Sequence, residues 1–428
     1  MVEPNKLTVT SALEKISAGR ISISRWIESC IERIQERESL VRAWESLDIE
    51  YALNRAYQLD SCTNRSLPLN GLPIGIKDVI DSKEYRTTFG SPIYKAYQPE
   101  WDAAVVSALK GQGCFVLGKT VTTEFAMRSP GPTRNPLDLK RTPGGSSSGS
   151  AAAVADFMVP IALGTQTVGS VIRPGAYCGV IAFKPSLGWF QRIGVKILSE
   201  SNDTIGVFAR DIKDIAFVMS ALGVVENYES IVSLDKSPKI AFCKTPFWEE
   251  IAPEVQNQII SFVDEKVSEG ALLVDITLPR EFDRLPMLQE IIAEYEIYQS
   301  LCYERINHKE KLSNVLVERL NKASKITREE YFNALKTVRG LRSYLDYVFR
   351  DVDIIFAPSA QGEAPLGYDT GSPIFSKFWQ PLGVPCLAFP IGYGPNEMPI
   401  GLQAISNYGE DSLLLASLIW INGAHNNY

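Results

Sequence analysis

The 428-residue chain is 45% hydrophobic, 22% charged and 10% aromatic, the make-up of an ordinary folded protein rather than a fibre or a disordered segment. Its 43 basic and 50 acidic residues give a formal charge of -7, which opposes the basic footprint needed to wrap a nucleic acid. The apolar runs at 151–164, interrupted by Asp156, and at 413–421 fall short of the roughly 20 residues that cross a bilayer, so no membrane span is expected.

Polar and charged residues follow the first six positions, without the apolar core of a signal peptide, and a cytoplasmic location is expected. Seven scattered cysteines with no C-x-x-C pair read as reduced structural thiols. Two distant histidines, His308 and His425, cannot build a zinc site with them or serve a catalytic cysteine, so no metal or cofactor is assigned.

The length allows one or two domains. Near the start, Trp26, Ile27, Cys30, Ile31 and Ile34 recur at the spacing of one helical face, with Ser22 or Ser24 as cap, and residues 1–60 are expected to be helical. A polar loop at 61–70 leads into GLPIGIKDVI (71–80), which reads as a buried strand ending in Lys77. Short apolar runs at 114–117 and 239–243, and a helical stretch at 253–269 running into 271–276, continue an α/β alternation.

Residues 281–350 read as two or three long helices. Met287, Ile291, Ile292, Tyr295 and Tyr298 fall on one face, and Tyr331, Leu335, Val338 and Leu341 on another. DVDIIFAPS (351–359) returns to a strand, and Pro- and Gly-rich loops are expected from 362 to 401 before a final apolar helix. With no internal repeat and no linker, a single domain over 1–428 is preferred, with 281–350 as a cap-like elaboration.

The sharpest local signal is PGGSSSGSAAA (143–153), a Gly/Ser loop entering a helix-favouring alanine run. Such a run is often a flexible linker, but linkers seldom continue into an apolar stretch inside an α/β pattern. Twenty-four residues after Ser146 comes GTQTVGSVIRP (164–174), which places Ser170 after residues able to present backbone N–H groups. Taken singly, Ser170 reads as a serine satisfying its turn and Lys77 as a lysine with a packed stem. GCFVLGKT (113–120) fits the pattern of a phosphate-binding loop, yet its bulky apolar centre reads as a strand, whereas that loop needs a tight small-residue turn after one.

Taken together, GIKD (75–78), 143–153, 164–170 and CGV with FKP (178–180, 183–185) resemble, in order and spacing, the blocks of the amidase signature family, and the resemblance covers most of the chain. It implies an α/β fold with a large mixed central β-sheet covered on both faces by helices, the signature core occupying 61–245. It further implies hydrolysis of a C–N amide bond through an acyl-enzyme. By its pattern Ser170 is the nucleophile, Ser146 the proton relay and Lys77 the base, with Thr167, Val168 and Gly169 presenting backbone N–H groups to the oxyanion.

That chemistry is coherent, because a serine hydroxyl needs a neighbouring base and no histidine is at hand. A lysine serves when neutral, which takes roughly 4 kcal/mol of disfavoured charge that burial can supply.

Three departures from the family pattern stand out. Val168 replaces a glycine, and a β-branched residue tolerates positive φ poorly, so it either spoils the hole or, at negative φ, only narrows the pocket. Gln166 stands where many members carry aspartate. Arg173 lies three residues after the nucleophile, as in malonamidase, where the equivalent arginine binds a substrate carboxylate; tied to backbone carbonyls it is instead structural. Pro174 argues against a regular helix there.

Phe378 and Trp379 either shape the pocket or belong to the core. The implied partner is a small-molecule amide, carboxylate-bearing or aryl, with no nucleic acid and no membrane. A homodimer is a common state among relatives, although nothing in the sequence marks an interface. The alternatives are the glutamine-hydrolysing subunit of a transfer-RNA amidotransferase, against which the acidic balance and shorter chain argue mildly, and a non-catalytic relative that binds amides.

Overall fold

A computed structural model describes residues 2–62, 66–233 and 236–423. Among the described residues eleven strands form one mixed sheet. In chain order they are β1 (Trp44–Leu47), β2 (Pro73–Lys77), β3 (Phe115–Thr120), β4 (Ile161–Gln166), β5 (Ile181–Lys184), β6 (Thr204–Ala209), β7 (Lys239–Phe242), β8 (Leu272–Leu273), β9 (Ile354–Pro358), β10 (Cys386–Tyr393) and β11 (Pro399–Ile405). Their spatial order is β1-β3-β2-β4-β6-β5-β10-β11-β9-β7-β8.

Every residue of β2, β3, β4, β6, β9 and β11 is buried. Successive strand side chains point to opposite faces, so unbroken burial requires both faces of the sheet to be covered. That is why these strands read as continuous apolar runs rather than alternating ones.

The helix Ile23–Val41 forms as its periodicity dictates. Trp26, Ile27, Cys30, Ile31 and Ile34 are all buried, and the Ser22 side chain caps the helix by accepting from the Arg25 N–H. Of the loop expected at 61–70, residues 63–65 lie outside the described residues.

The region 281–350 holds three long helices, as expected, Leu285–Ser300, Asn314–Ala323 and Arg328–Val348, with the short helix Cys302–Asn307 between the first two. The buried stripe of the first is Leu285, Leu288, Gln289, Ile292, Ala293 and Ile297, and Met287 is exposed, so the expected face is rotated. Val338 and Leu341 are buried as expected. In the run at 271–276 only Leu272 and Leu273 pair, and both are exposed at the sheet edge.

The largest correction concerns 362–401. It contains β10, most of the approach to β11, and the short helix Ile374–Trp379. β10 and β11 form an antiparallel pair whose register shifts between Pro390 and Gly392. A proline that cannot donate and a glycine two residues on look like loop residues, yet here they mark a bulge. Among the described residues no helix is long and apolar enough to cross a membrane.

Candidate active site

β2 and β4 run parallel and adjacent, so Lys77 and Gln166, their last residues, emerge on the same edge of the sheet. Ligand sites in sheets of this kind gather outside the carboxyl ends of the strands. β6 enters antiparallel with Thr204 opposite Gln166, which brings Asp203 to the same edge. The Gly/Ser loop and the 167–171 turn lie over it, each leading into a helix, Ser148–Ala155 and Ile172–Cys178.

Lys77 is fully buried. Its Nζ donates to Ser146 Oγ at 2.7 Å, to Thr165 Oγ1 at 2.8 Å and to the Thr165 carbonyl at 3.3 Å. Burial holds its pKa down to about 7, against a weaker opposing pull from the carboxylate of Asp203. Asp203 is buried as well, which raises its carboxyl to about 6, although the Leu198 and Ser199 N–H groups donate to its Oδ2.

The Gly145–Ser146 peptide is cis. The other serines of the loop face backbone. Ser147 Oγ donates to the Thr165 carbonyl, Ser150 Oγ to the Leu163 carbonyl, and Ser148 Oγ to the Val121 carbonyl. Three of the four hydroxyls therefore fasten the loop to the strands, and only that of Ser146 meets the lysine. Gly149, in the first turn of the Ser148–Ala155 helix, sits so close that an added Cβ would lie 2.2 Å from the Ala43 carbonyl oxygen, which is why this position needs glycine.

Ser170 lies in the turn after β4, 8% exposed. The two loops touch. Arg173 Nη2 donates to the Gly145 carbonyl at 2.5 Å, and the space beside Gly144 is filled by Pro174. Val168 is not at positive φ and is half-buried, so a β-branched residue meets no left-handed backbone strain at this position.

Contrary to the expectation from Pro174, residues Ile172–Cys178 are helical. The proline falls in the first turn, where its missing N–H leaves no intrahelical bond unmade. Gln166 completes that helix start: its Oε1 accepts from the N–H groups of Val171 and Ile172, and its Nε2 donates to Gln380 Oε1. The amide thus supplies the acceptor that an aspartate would.

Arg173 is 5% exposed, and burial lowers its pKa to about 10, which leaves it charged at neutral pH. One N–H is tied to backbone, as in the structural reading, while Nε and Nη1 are buried and find no partner among the described residues.

Lys119 of the phosphate-loop look-alike is buried within β3, paired with Asp78 Oδ1 at 3.1 Å and Thr87 Oγ1 at 2.7 Å, so it holds strands and loop together. Trp379 and Phe378 are both buried. Phe378 also lines a cavity of about 430 Å³ with Cys243 and Asp283, and Lys77, Ser146 and Ser170 do not border that cavity. His308 contacts Tyr303, and His425 lies outside the described residues. Among the described residues no group of three or more His, Cys, Asp and Glu side chains is placed to hold a metal.

Sequence reasoning did not single out Thr165 or Asp203. Thr165 stands in the quoted 164–174 block, and its position one residue past the strand glycine was the available signal; Asp203 has no motif.

The Amidase family model matches residues 25–415, and the chain belongs to that family. It is 30% identical to a glutamyl-tRNA(Gln) amidotransferase subunit of Koribacter versatilis (strain Ellin345), covering 96% of this chain and 97% of that one. It is 32% identical to the protein of the same name from Sulfurihydrogenibium sp. (strain YO3AOP1), covering 96% and 95%. A solved structure described as an amidase superposes with a TM-score of 0.89 at 27% identity, covering 97% of this chain and 99% of that chain.

Proposed function

We propose that the protein hydrolyses the C–N bond of a small amide through an acyl-enzyme, with Ser170 as nucleophile, Ser146 as relay and Lys77 as base. The observation that carries this reading is the buried Lys77 amine, 2.7 Å from Ser146 Oγ, with a pKa near neutrality. A neutral amine has two N–H donors and one lone pair. In the ammonium all three N–H groups have an oxygen partner; once the proton shared with Ser146 is lost, Thr165 Oγ1 and the Thr165 carbonyl keep the two remaining donors and the lone pair faces Ser146 Oγ.

In the forward step Ser170 Oγ bonds to the substrate carbonyl carbon, its proton passes to Ser146, and the Ser146 proton passes to Lys77. The carbonyl oxygen becomes an anion, received by the N–H groups of the Thr167, Val168, Gly169 and Ser170 stretch. Collapse breaks the C–N bond, the amine leaves with a proton returned from Lys77 through Ser146, and water then attacks the acyl-enzyme by the same relay.

The unpartnered Nε and Nη1 of Arg173 favour an amide that also carries a carboxylate, as in the malonamidase-like reading, since a buried guanidinium with free N–H groups suits an anionic oxygen pair. A second reading, a glutamine-hydrolysing subunit that works with partner chains, is favoured by the names of the curated relatives. Glutamine would bring both the carboxamide and the carboxylate.

The deciding experiment is ammonia release from malonamate, acetamide, glutamine and an aryl acetamide by the wild type and Ser170→Ala. Loss of turnover in Ser170→Ala supports the assignment, and turnover that persists there overturns it. A preference for malonamate over acetamide that disappears in Arg173→Met supports the carboxylate role. Glutamine turnover that appears only with copurifying chains favours the second reading.

A further inference from the structure

The helix Leu285–Ser300 buries one amide among its apolar residues. Gln289 is 1% exposed, and its Nε2 donates to the Thr167 carbonyl at 3.2 Å. Its Oε1 is also buried and has no partner among the described residues. The orientation of this amide is set by the contact itself, since the reverse rotamer would place Oε1 against another carbonyl oxygen. The neighbouring helix Ile374–Trp379 packs against Leu285–Ser300 and presses Ser376 against Gly169, where an added Cβ would lie 3.0 Å from the serine side chain.

The Thr167 carbonyl and the Val168 N–H belong to one peptide unit. In a trans peptide they point in opposite directions, so a donor that holds the carbonyl on one side directs the N–H to the other. A hydrogen bond to the carbonyl also polarises the unit and makes its N–H the stronger donor.

We propose that Gln289 is a positioning residue for the anion-binding loop, holding the Thr167–Val168 peptide so that the Val168 N–H faces the reacting carbonyl oxygen. The inference rests on the reading of Ser170 as nucleophile and of 167–170 as the oxyanion hole. It makes the helical region at 285–300 part of the catalytic apparatus, with Gln289 acting through the 167–168 peptide rather than on the substrate.

The test needs no knowledge of the natural substrate. A small alkyl fluorophosphonate phosphorylates an activated serine: the serine oxygen bonds to phosphorus, fluoride leaves, the serine proton passes to the base, and the phosphoryl oxygen occupies the oxyanion hole. Labelling of Ser170 is followed by mass spectrometry in wild type, Gln289→Leu and Gln289→Glu, each confirmed as folded by its thermal melt.

Gln289→Leu is expected to label about tenfold more slowly, a fraction of the loss seen when an oxyanion donor is removed outright. Gln289→Glu opposes the Thr167 carbonyl when ionised and can donate to it when protonated. Its rate relative to wild type should therefore rise as pH falls, which a packing role would not produce. Labelling of Gln289→Leu at the wild-type rate, or a Gln289→Glu ratio flat with pH, overturns the inference while leaving the nucleophile in place. A wild type that does not label at Ser170 overturns the underlying reading and this inference with it.

Discussion

Lys77 Nζ and Ser146 Oγ lie 2.7 Å apart although 69 positions separate them, and both residues are buried. The contact links the end of a central strand to a loop whose remaining serines are bound to backbone. Lysine and hydroxyl are thereby held in a setting that favours the uncharged amine.

This sets the pH dependence. Below about pH 7 Lys77 is an ammonium and cannot accept a proton, so kcat/KM of the wild type should rise with pH through about 7. The Asp203 charge favours the ammonium, so Asp203→Asn should move the rising limb to lower pH. The same group affects stability. Its folded pKa lies below the ordinary lysine value of 10.5, so the unfolded chain binds more protons between about 7 and 10.5, and Lys77 contributes stability that grows as pH rises through that window. Rate profiles from pH 5 to 9 check the first two statements, and urea melts of wild type against Lys77→Met across pH check the third.

Thr165→Val removes one of the three oxygens around the lysine and keeps the shape. The loss of one orienting hydrogen bond, about 1.4 kcal/mol, should lower kcat about tenfold with little change in KM. Steady-state kinetics on any substrate that is turned over will show whether the fall lies in kcat.

Gln166→Leu strips the acceptor from the Val171 and Ile172 N–H groups and leaves Gln380 Oε1 without its donor. Three buried polar groups lose a partner, and a stability loss of about 2–4 kcal/mol is expected, measurable in urea unfolding. Activity should fall with it, because these N–H groups start the helix that follows Ser170.

Gly149→Ala places a methyl 2.2 Å from the Ala43 carbonyl oxygen and 2.4 Å from the Val121 nitrogen, both backbone atoms that cannot move aside cheaply. A cost of about 3 kcal/mol or more is expected, read as a lower Tm.

Much of this was legible in the sequence where a residue type carries its own constraint. The Lys77 strand, the Ser22 cap, the Gly/Ser turn into the Ser148–Ala155 helix and the β3 reading of the phosphate-loop look-alike all follow from local chemistry. Gln289 was not legible in that way, because an uncharged polar residue within a helix has no motif. Its four-residue spacing from Leu285, on the stripe continued by Ile292, was the only hint that it is buried. Pro390 and Gly392 hid β10, since a bulge uses the same residues as a turn. Asp203 owes its place to the pairing of β4 with β6, which no short stretch of sequence encodes.

The position of β10 and β11 has a consequence for how the molecule comes into being. They insert between β5 and β9, joining a block of strands from the first half of the chain to a block built from 239–358. The sheet cannot close until residues 386–405 have been synthesised, because they alone pair with the β5 and β9 borders that face one another. Knitting the sheet is therefore among the last events of biogenesis. Damage to that hairpin would not fray one end of the molecule but would divide it down the middle.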